Sequence, residues 1–156
     1  MKTHFLKRKY IFVALKTQKM IQRIQSVYLA LAFMVTGVLP FVFPIWTLAD
    51  GKVEYFMMHM PYVVLFGLST ALSALSISFY KKRQHQFVLG RLNMILNLIL
   101  LGLLIYRSLS LSGEAPAVSV KGIGMFLPAI AIVFLVLANK AIKRDEDLVK
   151  SVDRLR

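Results

Sequence analysis

The stretch PYVVLFGLSTALSALSISFY, Pro61–Tyr80, decides the fold, because it runs for its whole length without a charged side chain. A helix rises about 1.5 Å per residue, so a run of this length crosses the roughly 30 Å hydrocarbon core of a bilayer. Proline at its start suits the first turn of a helix. Since lipid offers backbone groups no hydrogen-bond partner, the run predicts a membrane-spanning helix rather than a strand.

Three further apolar runs have the same character, at Val27–Phe43, Leu92–Tyr106 and Ile123–Asn139. The shorter ones reach a full span with flanking Tyr, Lys and Arg side chains that extend to the membrane surface. The predicted spans are about 26–43, 61–80, 88–106 and 123–139. The 58% hydrophobic content and mean hydropathy of +0.66 exclude an ordinary soluble domain. The predicted fold class is therefore an all-α membrane protein with four transmembrane helices in one bundle, residues 20–139.

The basic residues lie almost entirely on one side of this predicted bundle. All but three of the 20 Lys and Arg residues precede the first run, join the second to the third, or follow the fourth; the exceptions are Lys52, Arg107 and Lys121. The positive-inside rule then predicts that both termini are cytoplasmic. The net charge of +13 does not indicate nucleic-acid binding, because no aromatic platform or recognisable nucleic-acid fold accompanies the charges.

Residues 140–156 predict a charged, amphipathic helical tail in the cytoplasm. Apolar residues recur at helical spacing, and Glu146 stands one turn before Lys150 as a stabilising pair. Anionic lipid repels the acidic run Asp145–Asp147, which favours contact with a partner protein or with the bundle's own cytoplasmic loop over contact with the membrane. A solvated helix is the alternative. The expected partner contacts are Gln22, Arg23, Gln25, Lys143, Arg144, Asp145, Leu148, Val152 and Arg154.

Within the predicted spans the polar residues are hydroxyls and amides rather than ionisable groups. Small residues four apart on the second helix predict close helix packing. Asn93 and Asn97 share one helix face, which predicts an interhelical hydrogen bond or an anchor at membrane depth, with a substrate site as the alternative. The alternative is a small transporter or channel with a polar lining of Ser73, Ser76 and Asn97. The small pairs are Gly67/Ala71, Ser69/Ser73 and Thr70/Ala74.

One segment has the composition of a metal site. Thioether and imidazole ligands suit Cu(I), so copper handling through Met57, Met58, His59 and Met60 is an alternative function. Flexible methionines also fill interfaces, so the other interpretation is a loop packed on the bundle. The chain has no cysteine, no phosphate-cradling glycine loop and no evident histidine–carboxylate arrangement at a membrane face. We therefore expect no enzymatic activity and no cofactor.

Three segments carry a resemblance to a known family: MIQRIQSVYLALA (Met20–Ala32), RLNMILNLIL (Arg91–Leu100) and LANKAIKRDEDLVKSVDRLR (Leu137–Arg156). With them the chain resembles the small four-helix bacterial inner-membrane proteins of domain of unknown function family 4293. The resemblance implies a multi-pass topology in the bacterial inner membrane. It implies no activity, cofactor or catalytic residue.

Residues 1–19 form a basic extension before the region of resemblance. The apolar run Ile11–Leu15 is too short for a signal peptide, and no small-residue cleavage site follows it. An amphipathic surface helix is one alternative. The simpler expectation is an upstream in-frame start, with Met20 as the usual first residue.

Together these patterns predict an integral membrane protein that acts as a non-enzymatic accessory or scaffold subunit. The lipid bilayer and a membrane or cytoplasmic protein are its expected partners.

Overall fold

The computed structural model describes residues 24–48, 51–80, 82–113 and 118–154; for residues 111–113, 118–121 and 152–154 only the backbone is described. Within this part, four helices are long and apolar enough to cross a membrane, which confirms the four predicted spanning helices. Predictions for residues 1–19, Gln22 and Arg23 lie outside it. The elements are α1 (Ile24–Val42), β1 (Trp46–Leu48), β2 (Val53–Glu54), α2 (Met60–Ser78), α3 (Arg83–Gly113), β3 (Val118–Lys121) and α4 (Leu127–Arg154), with short 3₁₀ helices at Phe56–Met58 and Ile123–Phe126.

Two helices are longer than the hydropathy pattern indicates. Helix α3 begins at Arg83 and ends at Gly113, beyond both limits of the predicted span 88–106. Helix α4 continues unbroken through the charged tail to Arg154, because neither proline nor glycine follows Pro128. Hydropathy marks the lipid-facing portion of a helix, whereas Arg, Gln, Lys and Glu are good helix formers that prolong it into water.

Each helix has a row of buried positions spaced alternately three and four residues apart. This is the spacing of coiled-coil seams, in which helices cross at about 20° and interlock their side chains. The positions of these rows are Gln25, Leu29, Ala32 and Thr36 on α1; Tyr62, Phe66, Ser69, Ser73 and Ser76 on α2; Gln86, Gly90, Asn93, Asn97, Leu100 and Leu104 on α3; and Ala131, Leu135, Ala138, Ile142 and Asp145 on α4. Other residues, such as Val35, Leu72, Leu96 and Asn139, are buried beside the rows.

The two ends of the helices differ in the chemistry of their cores. We name the end that carries the strands the sheet end, and the opposite end, where α2 turns into α3 and α4 continues into the tail, the tail end. At the sheet end the core is aromatic and aliphatic, and includes Trp46, Phe56, Phe66 and Leu100. Phe56 and Phe66 meet edge to face with ring centroids 5.4 Å apart, a favoured aromatic geometry. Toward the tail end polar side chains enter the core.

The segments that connect the helices at the sheet end form a three-stranded antiparallel sheet in the order β2-β1-β3. Trp46 pairs with Glu54 on one side and Lys121 on the other. This sheet was not predicted from the sequence, because strands of two to four residues are too short to show an alternating pattern. The sheet ties the α1–α2 connection to the α3–α4 connection.

Gly122 lets these two connections approach closely. Its backbone N–H donates to the carbonyl oxygen of Ile45 at 2.8 Å, and the N–H of Gly124 donates to the carbonyl oxygen of Pro44 at 2.9 Å. A Cβ atom on Gly122 would collide with both carbonyl oxygens, which belong to backbone and have little room to move. Only glycine permits this approach.

We therefore expect Gly122→Ala to lower the melting temperature of the protein in mild detergent, because the two connections must separate. The matched control is Gly67→Ala on α2, where an added Cβ atom meets nothing within 4 Å. That control should be neutral or slightly stabilising, since alanine favours helix over glycine by roughly 0.5–1 kcal/mol. Equal melting temperatures for the two variants would show that the close approach contributes nothing to stability.

Candidate functional site

Ser69, Ser73, Asn93 and Asn97 form a hydrogen-bonded contact between α2 and α3, which we call the polar interface. All four side chains are buried. Asn93 Nδ2 donates to Ser73 Oγ at 2.8 Å and to the carbonyl oxygen of Ser69 at 3.1 Å. Asn93 Oδ1 accepts from Ser69 Oγ at 2.7 Å. Asn97 Nδ2 donates to Ser69 Oγ at 2.7 Å and to Asn93 Oδ1 at 2.9 Å. The predicted interhelical hydrogen bond of the asparagines is confirmed.

The residues proposed as a channel lining, Ser73, Ser76 and Asn97, are brought to this side of α2 and α3 rather than to lipid. Ser73 accepts a hydrogen bond from Asn93, and Ser76 Oγ donates to the carbonyl oxygen of Gln86 at 3.4 Å. Their polar capacity is therefore used mainly within the chain. Such an arrangement fixes helix register and depth, as buried polar residues do in coiled coils.

The predicted small-residue contacts of α2 divide into two groups. The pair Ser69/Ser73 lies against α3 as predicted, and Thr70 contacts α1 through a 3.3 Å hydrogen bond to Thr36 Oγ1. The pair Gly67/Ala71 is on the exposed side of the helix, so the prediction that it packs against a neighbouring helix is wrong. Spacing alone could not tell the two faces apart, because small residues occupy both.

We expect Ser69→Ala to destabilise the protein by about 1–3 kcal/mol, because it removes two buried hydrogen bonds, one to Asn93 Oδ1 and one from Asn97 Nδ2. Ser78→Ala is the matched control: Ser78 is exposed, and its hydroxyl donates to the Ala74 carbonyl oxygen of the same helix. The free energy of unfolding in detergent measures both. A loss for Ser69→Ala no larger than that for Ser78→Ala would contradict a stabilising role of the polar interface.

A second cluster lies at the sheet end, where Glu54 accepts hydrogen bonds from Trp46 Nε1 and from His59 Nε2, the latter at 3.1 Å. The His59 ring also meets Tyr62 edge to face, at 5.5 Å between centroids. The expectation that no histidine–carboxylate arrangement exists at a membrane face is therefore wrong. The sequence does not reveal this arrangement, because Trp46, Glu54 and His59 are brought together by short strands and the 3₁₀ turn at Phe56–Met58 rather than by one regular element.

This cluster changes the setting of the candidate copper ligands. Because Glu54 engages Nε2 of His59, only Nδ1 of that ring is left to bind a metal. Met57, Met58 and Met60 are exposed, at 61%, 63% and 74%. No group of three or more His, Cys, Asp or Glu side chains that could hold a metal occurs among the described residues. A thioether site for copper stays a prediction.

The pKa of Glu54 responds to opposing effects. Burial raises it, but the hydrogen bonds from His59 and Trp46 and the positive charges of His59 and Arg107 together outweigh burial and hold the pKa below its usual 4.5. The carboxylate is thus more stable in the folded protein than in the unfolded one. Its contribution to stability is complete above pH 4.5 and is lost as the pH falls through the lowered pKa.

We therefore expect acid to lower the melting temperature of the wild-type protein more steeply below pH 4.5 than that of Glu54→Gln. The variant has lower stability at pH 7, where the wild-type carboxylate is ionised and bonded, and the difference shrinks as the pH falls. Melting curves from pH 7 to pH 3 measure it, with the other carboxyl groups titrating in both proteins. A difference independent of pH would contradict the assignment.

At the tail end, Asp145 of α4 forms an ion pair with Arg83 at the start of α3, with Arg83 Nε 3.1 Å from Asp145 Oδ2. The aspartate is fully buried and the arginine side chain is 22% exposed. Ile142, one turn before Asp145, is also fully buried. The start of the tail therefore packs against the α2–α3 turn of its own chain. Removing one member of such a buried pair typically costs about 3–5 kcal/mol.

The predicted partner contacts have different surroundings. Gln25 and Asp145 are fully buried inside the chain. Lys143, Arg144 and Leu148 are exposed on the tail. Val152 and Arg154 belong to α4, but their side chains are outside the described part. The predicted pair of Glu146 and Lys150 is confirmed, at 2.8 Å.

An open groove runs between the start of α3 and the tail. Most of its polar side chains are basic or imidazole, while Glu146 is its acidic member. The groove is lined by Lys82, Arg83, Gln84, His85, Glu146, Val149 and Lys150. Arg83, Gln86 and Asn139 were not among the predicted site residues. Gln86 is one of the buried positions of α3, whereas Arg83 is partly exposed and Asn139 is buried beside Ala138, so only the helix contacts reveal the roles of the last two.

Comparison with known proteins gives one family. The model of DUF4293, described as a domain of unknown function, matches residues 21–155. Neither the curated proteins nor the solved structures yield a match.

Proposed function

Because the chain belongs to the DUF4293 family of domains of unknown function, and because its four apolar helices make it a membrane protein, we propose that it is a non-enzymatic accessory or scaffold subunit. On this proposal it lies in the bacterial inner membrane as one four-helix bundle with both termini in the cytoplasm. Its tail contacts a partner protein.

The distribution of charge supports this orientation. The α2–α3 turn carries Lys82 and Arg83, and the tail carries Lys140, Lys143 and Arg144, all at the tail end. The sheet end has few basic residues, and acidic Glu54 lies among them. The positive-inside rule assigns the tail end to the cytoplasm.

The tail is the main support for the proposal. Helix α4 continues as a helix to Arg154, and the buried Arg83–Asp145 ion pair holds the start of the tail against α3. A tail that is helical and attached at its base loses little conformational entropy when a partner binds. Its exposed residues keep one orientation relative to the membrane helices. Such a preorganised surface suits a scaffold better than a flexible tail does.

The surface suits an acidic partner. Lys143 and Arg144 are exposed beside the groove that holds Lys82, His85 and Lys150, and Leu148 is an exposed apolar residue among them. Carboxylates on a partner would meet this basic surface, and an apolar side chain would cover Leu148. The acidic Glu146 and Asp147 oppose insertion into an anionic membrane, which favours a protein over lipid.

The test is photo-crosslinking in cells that express the full chain. A benzophenone amino acid at Leu148 should yield an adduct with a protein, whereas the same group at Val133, which is 56% exposed on the apolar part of α4, should contact lipid only. Reversing the charge in Lys143→Glu with Arg144→Glu should abolish the adduct at Leu148. The charge-reversal variant keeps Asp145, so that its ion pair with Arg83 still holds the start of the tail.

Two results would contradict the proposal. One is the same pattern of protein adducts from Leu148 and Val133, and the other is an adduct unaffected by the charge reversal. The chain contains no cysteine, so single cysteines at Ser151 and Lys52 report the side of each end by labelling with an impermeant maleimide. Labelling of Ser151→Cys from outside intact cells would overturn the orientation.

A further inference from the structure

Each of the four helices places one polar side chain into the core near the tail end. We call Gln25 of α1, Ser76 of α2, Gln86 of α3 and Asn139 of α4 the polar layer. Their side chains are between 0% and 6% exposed. Gln25 Nε2 donates to Gln86 Oε1 at 3.5 Å, the upper limit for a hydrogen bond, and Ser76 Oγ donates to the Gln86 carbonyl oxygen at 3.4 Å.

Asn139 lies close to this region, because its amide contacts Gly90 of α3. A Cβ atom on Gly90 would collide with the amide of Asn139, so the asparagine lies directly against the α3 backbone at that point. Gly90 is one helical turn from Gln86, a rise of about 6 Å. A water molecule that bonds to two polar atoms at about 2.8 Å each bridges a gap of this size.

The polar layer has hydrogen-bonding capacity that the described part of the chain does not use. Gln25 Oε1, Gln86 Nε2 and both amide atoms of Asn139 are buried with no hydrogen-bond partner among the described residues. A polar atom left without a hydrogen bond in an apolar environment destabilises the folded state. Four such atoms in one layer at the end of a membrane-spanning core therefore indicate that a ligand supplies the missing hydrogen bonds.

We propose that the polar layer is a binding site for ordered internal water, which bridges the amides of Gln25, Gln86 and Asn139. The chemistry of the free atoms selects this ligand. Two are acceptors, the carbonyl oxygens of Gln25 and Asn139, and two are N–H donors, on Gln86 and Asn139. Water satisfies both kinds, and a buried water typically makes about three hydrogen bonds.

Ions fit this layer less well. A cation requires several oxygen ligands and is repelled by the Gln86 and Asn139 N–H groups, while an anion is repelled by the two carbonyl oxygens. The charged pair nearest the layer, Arg83 and Asp145, already neutralises itself. The layer is neutral and mixed in polarity, which suits a neutral ligand. This site is independent of the partner surface, because its side chains are buried and the proposed partner contacts of the tail are exposed.

The test uses the full-length protein, labelled with ¹⁵N, in lipid bilayers. In water-edited solid-state NMR, magnetisation from water should build up at the side-chain amides of Gln86 and Asn139 faster than at two internal controls, by at least about twofold given direct hydrogen bonding to water. The first control is the Nδ2 group of Asn93, whose donors are bonded to Ser69 and Ser73. The second is the backbone N–H of Val88, at the depth of the layer but 62% exposed on the outside of α3.

Equal build-up at Gln86, Asn139 and Val88 would overturn the proposal, since water would then reach this depth along the membrane face. Build-up at the two amides no faster than at Asn93 would overturn it as well. Asn139→Leu, similar in size but apolar, should reduce the Gln86 signal to the level of Val88. If that variant does not fold, Gln25→Leu on a different helix serves the same purpose. A Gln86 signal unchanged in the folded variant would contradict bridging water.

Discussion

The contact between α2 and α3 depends on hydrogen bonds that the membrane makes obligatory. Lipid cannot solvate an amide or a hydroxyl, so Ser69, Asn93 and Asn97 must satisfy one another. All of their side-chain polar atoms except Asn97 Oδ1 have a partner among the described residues, and these bonds form at a single register of the two helices, because a shift by one residue would turn the asparagine side chains away from the serines. The apolar contacts elsewhere are less selective, since one aliphatic surface packs on another in many ways. Polar atoms therefore provide the specificity of this core, although they are a minority of it.

The two ends of the helices are closed by different kinds of side chains. At the sheet end, aromatic rings and a short sheet close the core around Trp46, and Glu54 satisfies the indole N–H there. At the tail end, the core becomes polar before the helices end, and the Arg83–Asp145 pair completes it. The polar side chains of the core and most of the basic residues are thus concentrated at the same end of the helices.

The sequence predicts the four helices because a run such as Pro61–Tyr80 has only one stable structure in lipid. It predicts the asparagine contact from two residues one turn apart. It fails for the β-sheet, whose strands are too short for an alternating pattern, and for the Glu54–His59 pair, which a 3₁₀ turn brings together. It also fails for Arg83, whose partner Asp145 is distant in sequence. The sheet and the Arg83–Asp145 pair depend on contacts between segments distant in the chain, and the Glu54–His59 pair depends on an irregular turn; neither propensity nor periodicity describes such contacts.

The pairing of β1 with β3 has a consequence for biogenesis. Leu48 pairs with Val118, and α2 and α3 lie between them in the chain. Because both helices must cross the bilayer before the two strands reach the same side, the ladder cannot form while the chain is partly inserted. Until then β1 has an unpaired edge and Trp46 lacks the strand that covers it. While only α1 and α2 are inserted, β1 can pair with β2 alone, and the sheet is completed only when α3 has also crossed.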